Sequence, residues 1–252
     1  MIKLRLIIDE GDGAYNMALD EAMLILRSVN AIPDTLRLYI FKPSTITIGY
    51  FQSVNESVNE DFIKSRRIPI VRRPTGGGAV YHDTYGEITY SIIISEDKVP
   101  RDYVESFKFL AKGVIRAARI LGAQAEFKPL NDGVIAGKKF SGQAQLRRLG
   151  VVLQHGTFMY ATDIDTLAQS LLAPKLKLMH KGVRAIKERV ITISNYVGRK
   201  ISRDEALEAL IRGFSEALNA ELIEDSLTEI ELQLVSSLKW KYLSKAWTYL
   251  RP

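Results

Sequence analysis

The chain contains no cysteine. That absence excludes disulfides, thiolate metal sites and every mechanism that runs through a cysteine nucleophile. Histidine is scarce too: His82, His155 and His180 stand alone, too scattered to predict a zinc site. No apolar run is long enough to cross a bilayer, so no membrane association is expected. The opening residues 1–10 hold a short apolar stretch broken by charges, with no small-residue cleavage site after it. They read as a strand rather than a signal peptide, and a cytoplasmic protein is expected.

Repeats, low-complexity tracts and Pro/Gly/Ser linkers are also missing. One domain is therefore expected over residues 1–252, with a core to about residue 195 and a helical part from about 196 to 252. The net charge is +6, but Lys and Arg are spread along the chain without interleaved aromatics. This pattern favours a solvated basic surface over a nucleic-acid site, and no nucleic-acid partner is expected. A basic nucleic-acid-binding domain remains the rival reading from another class. The positive surface does suit nucleotides or an acidic protein partner.

What is present is an ordinary globular composition, 46% hydrophobic and 25% charged. After the first strand, Gly11-Asp12-Gly13 leads into a helix expected over residues 14–29, with Asn16, Asp20 and Arg27 as its polar side. Residues 36–41 and 45–48 alternate on either side of Pro43-Ser44 and read as paired strands. Residues 87–95 alternate cleanly and predict a half-buried strand. Phe107, Leu110, Ala111, Val114, Ala118 and Leu121 follow helical spacing up to Gly122. Strands resume between Gly133 and Tyr160, with a turn at Arg147-Arg148-Leu149-Gly150. Ser202 and Glu205 form a capping-box pattern before another helix. Closely spaced strands with helices at both ends predict an α+β fold: a mixed, largely antiparallel sheet flanked by helices.

The most informative segment is Arg72-Arg73-Pro74-Thr75-Gly76-Gly77-Gly78-Ala79-Val80-Tyr81-His82-Asp83. Three glycines without Cβ atoms let backbone N–H groups approach an anion, and the arginines add paired donors. It is not a P-loop, because Ala79-Val80 stand where a Lys-Ser or Lys-Thr pair is required, and its spacing does not fit a dinucleotide fingerprint.

As a whole this segment resembles the hallmark of the lipoate–protein ligase family. The resemblance extends in order through residues 10–21 and 43–52, Asn131-Asp132-Gly133, Lys138-Lys139-Phe140-Ser141-Gly142-Gln143-Ala144, His155-Gly156-Thr157, Lys181-Gly182-Val183 and Arg189-Val190. It covers about residues 8–195 and looks like the family's short form, whose C-terminal accessory domain is a separate small protein. It implies a biotin/lipoate-ligase-like catalytic domain that activates lipoate, with octanoate as a possible alternative, using ATP as substrate and Mg²⁺. The acyl group then passes to a lysine of lipoyl-acceptor domains, those of 2-oxoacid dehydrogenase or glycine-cleavage proteins.

By the same resemblance, Lys139 is the catalytic cation that bridges the lipoate carboxylate and the α-phosphate. Arg73, Thr75, Gly76, Gly77, Gly78, Ala79, Val80, Tyr81 and Asn131 are expected around the nucleotide or lipoyl-AMP, and Asp132 at the metal. His82, His155 and Gly142 are expected near lipoate, in a slot for which Leu19, Ile48, Val80 and Val152 are candidates. A small accessory subunit is implied. Relatives on this scaffold that transfer acyl groups through a cysteine thioester are set aside on chemistry. A biotin–protein ligase-like enzyme is an alternative, although its glycine–arginine loop has a different residue order. One departure is that Gln145-Leu146 stand where some members place an arginine.

Overall fold

In the computed structural model, residues 1–172 and 179–251 are described, and for residues 179–181 only the backbone. The side chains of His180 and Lys181 thus lie outside what is described. The strands are β1 (Ile2–Gly11), β2 (Thr35–Phe41), β3 (Thr45–Ile48), β4 (Ile70–Arg72), β5 (Val80–His82), β6 (Glu87–Ser95), β7 (Ala125–Lys128), β8 (Asp132–Ile135), β9 (Lys138–Arg148), β10 (Val151–Met159) and β11 (Ala220–Glu224). The α-helices are α1 (Gly13–Ser28), α2 (Val54–Ser57), α3 (Glu60–Arg66), α4 (Tyr103–Ile120), α5 (Ile164–Ser170), α6 (Met179–Arg189), α7 (Ile193–Val197), α8 (Arg203–Leu218), α9 (Glu229–Leu243) and α10 (Lys245–Thr248). None of the described helices is long and apolar enough to cross a membrane.

Eight strands form one sheet in the order β11-β1-β2-β6-β10-β9-β8-β7, and β4-β3-β5 form a second, small sheet. Only β11–β1 and β1–β2 pair in parallel in the large sheet; the remaining pairs are antiparallel. This is the expected mixed, largely antiparallel sheet flanked by helices.

Alternation along the strands feeds two cores on opposite faces. Leu36, Leu38, Tyr90, Ile92, Ile94, Val152 and Phe158 pack under α4 and α8. Tyr39, Phe41, Ile93, Val151 and Leu153 pack under α1. The strand β6 is therefore buried on both sides, not half-exposed as its alternation suggested. Val152 faces α4 and α8, away from the glycine segment, so it does not line a slot there.

Three local readings change. The strands β2 and β3 do not pair; the turn at Pro43-Ser44 sends the chain from the large sheet into the small one. On α1, Asn16 and Asp20 are fully buried, because the guanidinium of Arg37 waits beneath them. Beyond residue 195 the chain is not helical throughout: β11 extends the sheet beside β1. Other expectations stand. Leu149 (φ 55°) and Gly150 (φ 71°) make the tight β9–β10 turn, where both central residues need positive φ. Ser202 and Glu205 close a reciprocal capping box on α8.

The C-terminal segment is tied down by polar contacts. Arg5 and Glu231, both buried, form a two-pronged ion pair between β1 and α9. Arg72, also buried, donates to the carbonyls of Trp247, Thr248 and Arg251 on one side and of Gly49, Tyr50 and Gln52 on the other.

Candidate active site

The glycine segment is the irregular crossing between β4 and β5, held from below by Arg73. The Arg73 guanidinium is buried, and all five of its N–H groups have acceptors. Nη2 donates to the carbonyls of Gly76 and Gly78, both at 2.7 Å. Nη1 donates to the carbonyl and hydroxyl of Thr47 at 3.3 and 3.2 Å, and Nε to Thr75 Oγ1 at 3.1 Å. In this structure each of these donors is engaged by the protein's own threonines and glycine carbonyls. The work of Arg73 is on the backbone. Drawing the Gly76 and Gly78 carbonyls inward turns the N–H groups of Gly77 and Ala79 outward, because C=O and N–H oppose each other across a trans peptide. Neither N–H is used in the loop's own hydrogen bonds. Gly77 sits at φ 89°, and a Cβ there would come within 3.0 Å of Arg73 Nη2. Gly78 faces open space. Outward-facing backbone N–H groups of this kind form a cradle that can hold an anion.

No carboxylate touches Arg73 among the described residues. Burial without a counter-ion pushes its pKa down to about 10, so it remains charged at neutral pH. The counter-charges stand further off, through two parallel chains. In one, Thr75 Oγ1 meets His155 Nε2 at 2.7 Å, and His155 Nδ1 meets Asp20 Oδ2 at 3.0 Å. In the other, Thr47 Oγ1 meets His82 Nε2 at 3.0 Å, and His82 Nδ1 meets Glu87 Oε2 at 2.8 Å. Burial lowers the pKa of His155, against the opposing pull of Asp20, so the contact is that of a neutral imidazole donating to a carboxylate. Asp20 also accepts from Arg37, Tyr39 and Ser91. His82 stacks on Phe41 with ring centroids 4.0 Å apart. Both histidines, expected beside lipoate, are thus spent on the threonines that flank Arg73.

The second half of the site is built on β8 and β9. Asp132 pairs with Gly142 and Gly133 with Ser141, but Val134 then pairs with Lys139, so Phe140 is the extra residue of a bulge. The bulge reverses the alternation and brings Lys139 onto the face of Gly142. The Lys139 ammonium lies 2.6 Å from Asp132 Oδ1, with the two side chains 40% and 35% exposed. A Cβ at position 142 would fall 2.5 Å from both Cε and Nζ of Lys139. Gly142 therefore makes room for the side chain of Lys139. Behind it, the backbone N–H of Gly142 donates to Thr157 Oγ1 at 3.1 Å. Asn131 clasps Gln143 through its side-chain N–H and its carbonyl, which places it as a support of this strand end.

The two halves meet. A Cβ built at Gly77 would lie 3.9 Å from Ala144 Cβ, two residues along β9 from Gly142. Ala144 faces His155 across the β9–β10 pair. The cradle and the lysine thus open on one groove, with Thr75, Arg73 and His155 beneath it. Val80 and Tyr81 belong to β5, where the Tyr81 ring packs into the small sheet's core and burial pushes its pKa up to about 12. Leu19 and Ile48 are fully buried core residues. Sequence reasoning missed Asp20, Thr47 and Glu87: the partners of Asp20 and Thr47 lie 135 and 35 positions away, and Glu87, only 5 residues from His82, reads as part of an alternating strand.

Chemically, this site offers a half-exposed ammonium beside a carboxylate, a backbone anion cradle over a buried cation, and no thiol. Such a site can bring two anionic groups together, since preorganised positive charge is what that encounter requires. Asp132 is the carboxylate available to a divalent cation. No cluster of three or more ligating side chains exists among the described residues. That donor set fits Mg²⁺ carried chiefly on nucleotide phosphates, not a resident protein-bound metal.

Comparison with known proteins agrees with the geometry. The chain is 36% identical to an octanoyltransferase LipM of Kyrpidia tusciae, over 95% of this chain and 96% of that one. It is 34% identical to an octanoyltransferase LipM of Bacillus subtilis, over 97% of each. Among solved structures it superposes with a TM-score of 0.87 and 35% identity on the bi-partite lipoate protein ligase of Thermoplasma acidophilum, covering 100% of this chain and 99% of that one. A lipoate-protein ligase A bound with ATP gives a TM-score of 0.84 at 34% identity, covering 99% of each. Residues 12–215 match the lipoyl protein ligase A/B catalytic domain, and the chain belongs to that family.

Proposed function

We propose that this chain is the catalytic part of a lipoate–protein ligase. One carboxylate oxygen of lipoate attacks the α-phosphorus of ATP and pyrophosphate leaves, giving lipoyl-AMP. The acceptor lysine amine then attacks the acyl carbon, loses a proton and releases AMP. Lys139 supplies the charge that lets the carboxylate approach the α-phosphate, and the Gly77 and Ala79 N–H groups cradle phosphate oxygens. Mg²⁺, if carried in on the nucleotide, adds charge neutralisation at the phosphates, with Asp132 as its protein ligand. Acceptors of the lipoyl-domain class suit the basic surface.

The observation that carries this reading is the juxtaposition of Lys139, seated over Gly142, with a backbone anion cradle in a chain without cysteine. The relatives named as octanoyltransferases favour a second reading, direct transfer of an octanoyl group between carrier proteins. Transfer through a cysteine thioester has no nucleophile here. The likeness to a bi-partite ligase supports a separate small accessory subunit that aids adenylation. The deciding measurement is pyrophosphate release by the chain, alone and with a candidate accessory subunit. Release that needs both ATP and lipoate is expected. Acyl transfer from an octanoyl carrier protein without ATP, and no pyrophosphate, defeats the ligase reading.

A further inference from the structure

Two carboxylate–imidazole–hydroxyl chains end on one guanidinium, and the proposed function leaves them without a task. We infer that Asp20–His155–Thr75 and Glu87–His82–Thr47 are paired positioning relays that fix Arg73 under the glycine loop and thereby set affinity for the nucleotide's phosphates, not for the acyl chain. The inference rests on the ligase reading for the identity of the anion, but its geometry is independent of it.

Hydrogen bookkeeping gives both relays one sense. Arg73 has only donors, so Thr75 and Thr47 must accept from Nε and Nη1 and turn their own O–H toward an acceptor. That acceptor is Nε2 of each histidine. Each ring must then carry its proton on Nδ1, and each Nδ1 faces a carboxylate. The carboxylates select the tautomer, the tautomer orients the hydroxyl, and the hydroxyl fixes one edge of the guanidinium. The opposite edge, Nη2, holds the Gly76 and Gly78 carbonyls. A guanidinium is planar and rigid, so fixing one edge aims the other. Arg73 consequently keeps its charge near the cradle, with each neutralising carboxylate one imidazole and one hydroxyl away.

The charged groups around His155 are Asp20 and Arg37, from α1 and β2, and Arg73. Around His82 they are Glu87 on β6 and, through Thr47, Arg73.

The test removes both hydroxyls while keeping shape: Thr47→Val with Thr75→Val, beside Thr47→Ser with Thr75→Ser. Three readouts are taken on the full chain: titration calorimetry with ATP and, separately, with lipoate, and NMR hydrogen exchange without ligand at the Arg73 Nε–H, which is buried and bonded to Thr75 Oγ1. The valine pair is expected to weaken ATP binding at least tenfold, to leave lipoate binding within twofold, and to speed exchange at the Arg73 Nε–H, with the serine pair restoring all three. Weakened lipoate binding with unchanged ATP binding would assign the histidines to the acyl slot and overturn the inference. Unchanged exchange at the Arg73 Nε–H in the folded valine variant also overturns it, whatever the nucleotide result. Failure of the unmodified chain to bind ATP sinks the ligase reading instead, and the exchange data still decide on the relays.

Discussion

The ammonium of Lys139 occupies the space that a side chain at position 142 would fill. Cε and Nζ both come within 2.5 Å of the position of a Cβ there. The lysine is thus held by an absence on one side and by Asp132 on the other. Gly142→Ala is expected to displace the ammonium and lower the rate of lipoyl-AMP formation on the order of a hundredfold, comparable with loss of one preorganised electrostatic donor. Lys139→Ala should reach or exceed that loss. Neither change removes a buried contact, so thermal midpoints should stay within a few degrees of the parent. Single-turnover assays with a melting curve check both halves. Normal adenylation by Lys139→Ala would refute its assigned role.

Gly49 offers a test of the cradle from behind. A Cβ there would lie 2.1 Å from the carbonyl oxygen of Gly77, a backbone atom that cannot step aside without moving the loop. Gly49→Ala is expected to raise the KM for ATP more than that for lipoate. Equal effects on both substrates would mean that the loop serves the whole groove.

Acid should weaken the fold through His155. Burial holds its imidazole below the ordinary value of 6.5, with Asp20 pulling the other way. An unfolded chain therefore takes up a proton near pH 6.5 that the folded chain still refuses. The stabilisation is complete above about pH 6.5 and is lost as pH falls from there through the folded pKa. Asp20 follows in a lower window. Burial opposes its charge, yet the bonds from His155 and Arg37 keep its carboxyl below 3.8, so its contribution disappears only under that pH. Thermal midpoints measured from about pH 8 to 5 should be flat at first and then decline. His155→Gln should flatten the decline, and an unchanged slope in that variant would remove His155 as its source.

Arg72→Met should destabilise the chain by about 3 kcal/mol or more, since several buried carbonyls lose a charged donor together. It should also open residues 245–251 to proteolysis. Urea melts and limited digestion report the two effects. A loss under about 1 kcal/mol would mean that water replaces the guanidinium cheaply.

Much of this was readable beforehand. The glycine segment, Lys139 and the family resemblance came from local strings, and such strings carry their own spacing. The helices α4 and α8 followed from periodicity and a capping box. What escaped was anything decided by a distant partner. Asn16 and Asp20 read as the wet side of α1 because polar residues at helical spacing usually face water, and only Arg37 on β2 turns them inward. Arg73 read as a phosphate ligand because an arginine beside glycines has that chemistry. Thr47 engages its donors without any sign of it in the sequence, and Thr75, expected around the nucleotide, meets the guanidinium as well. Likewise β2 and β3 alternate as a hairpin would, and nothing local says that they enter different sheets.

Arg72 and Arg73 are consecutive residues whose side chains leave the backbone in opposite directions, one to the carbonyls of residues 247–251 and the other to the cradle. Force applied to that tail therefore travels to the backbone of the glycine loop across a single peptide plane. A bulky fusion or affinity handle joined after residue 252 is mechanically in series with the glycine loop, whereas one joined before residue 1 is anchored elsewhere, on β1.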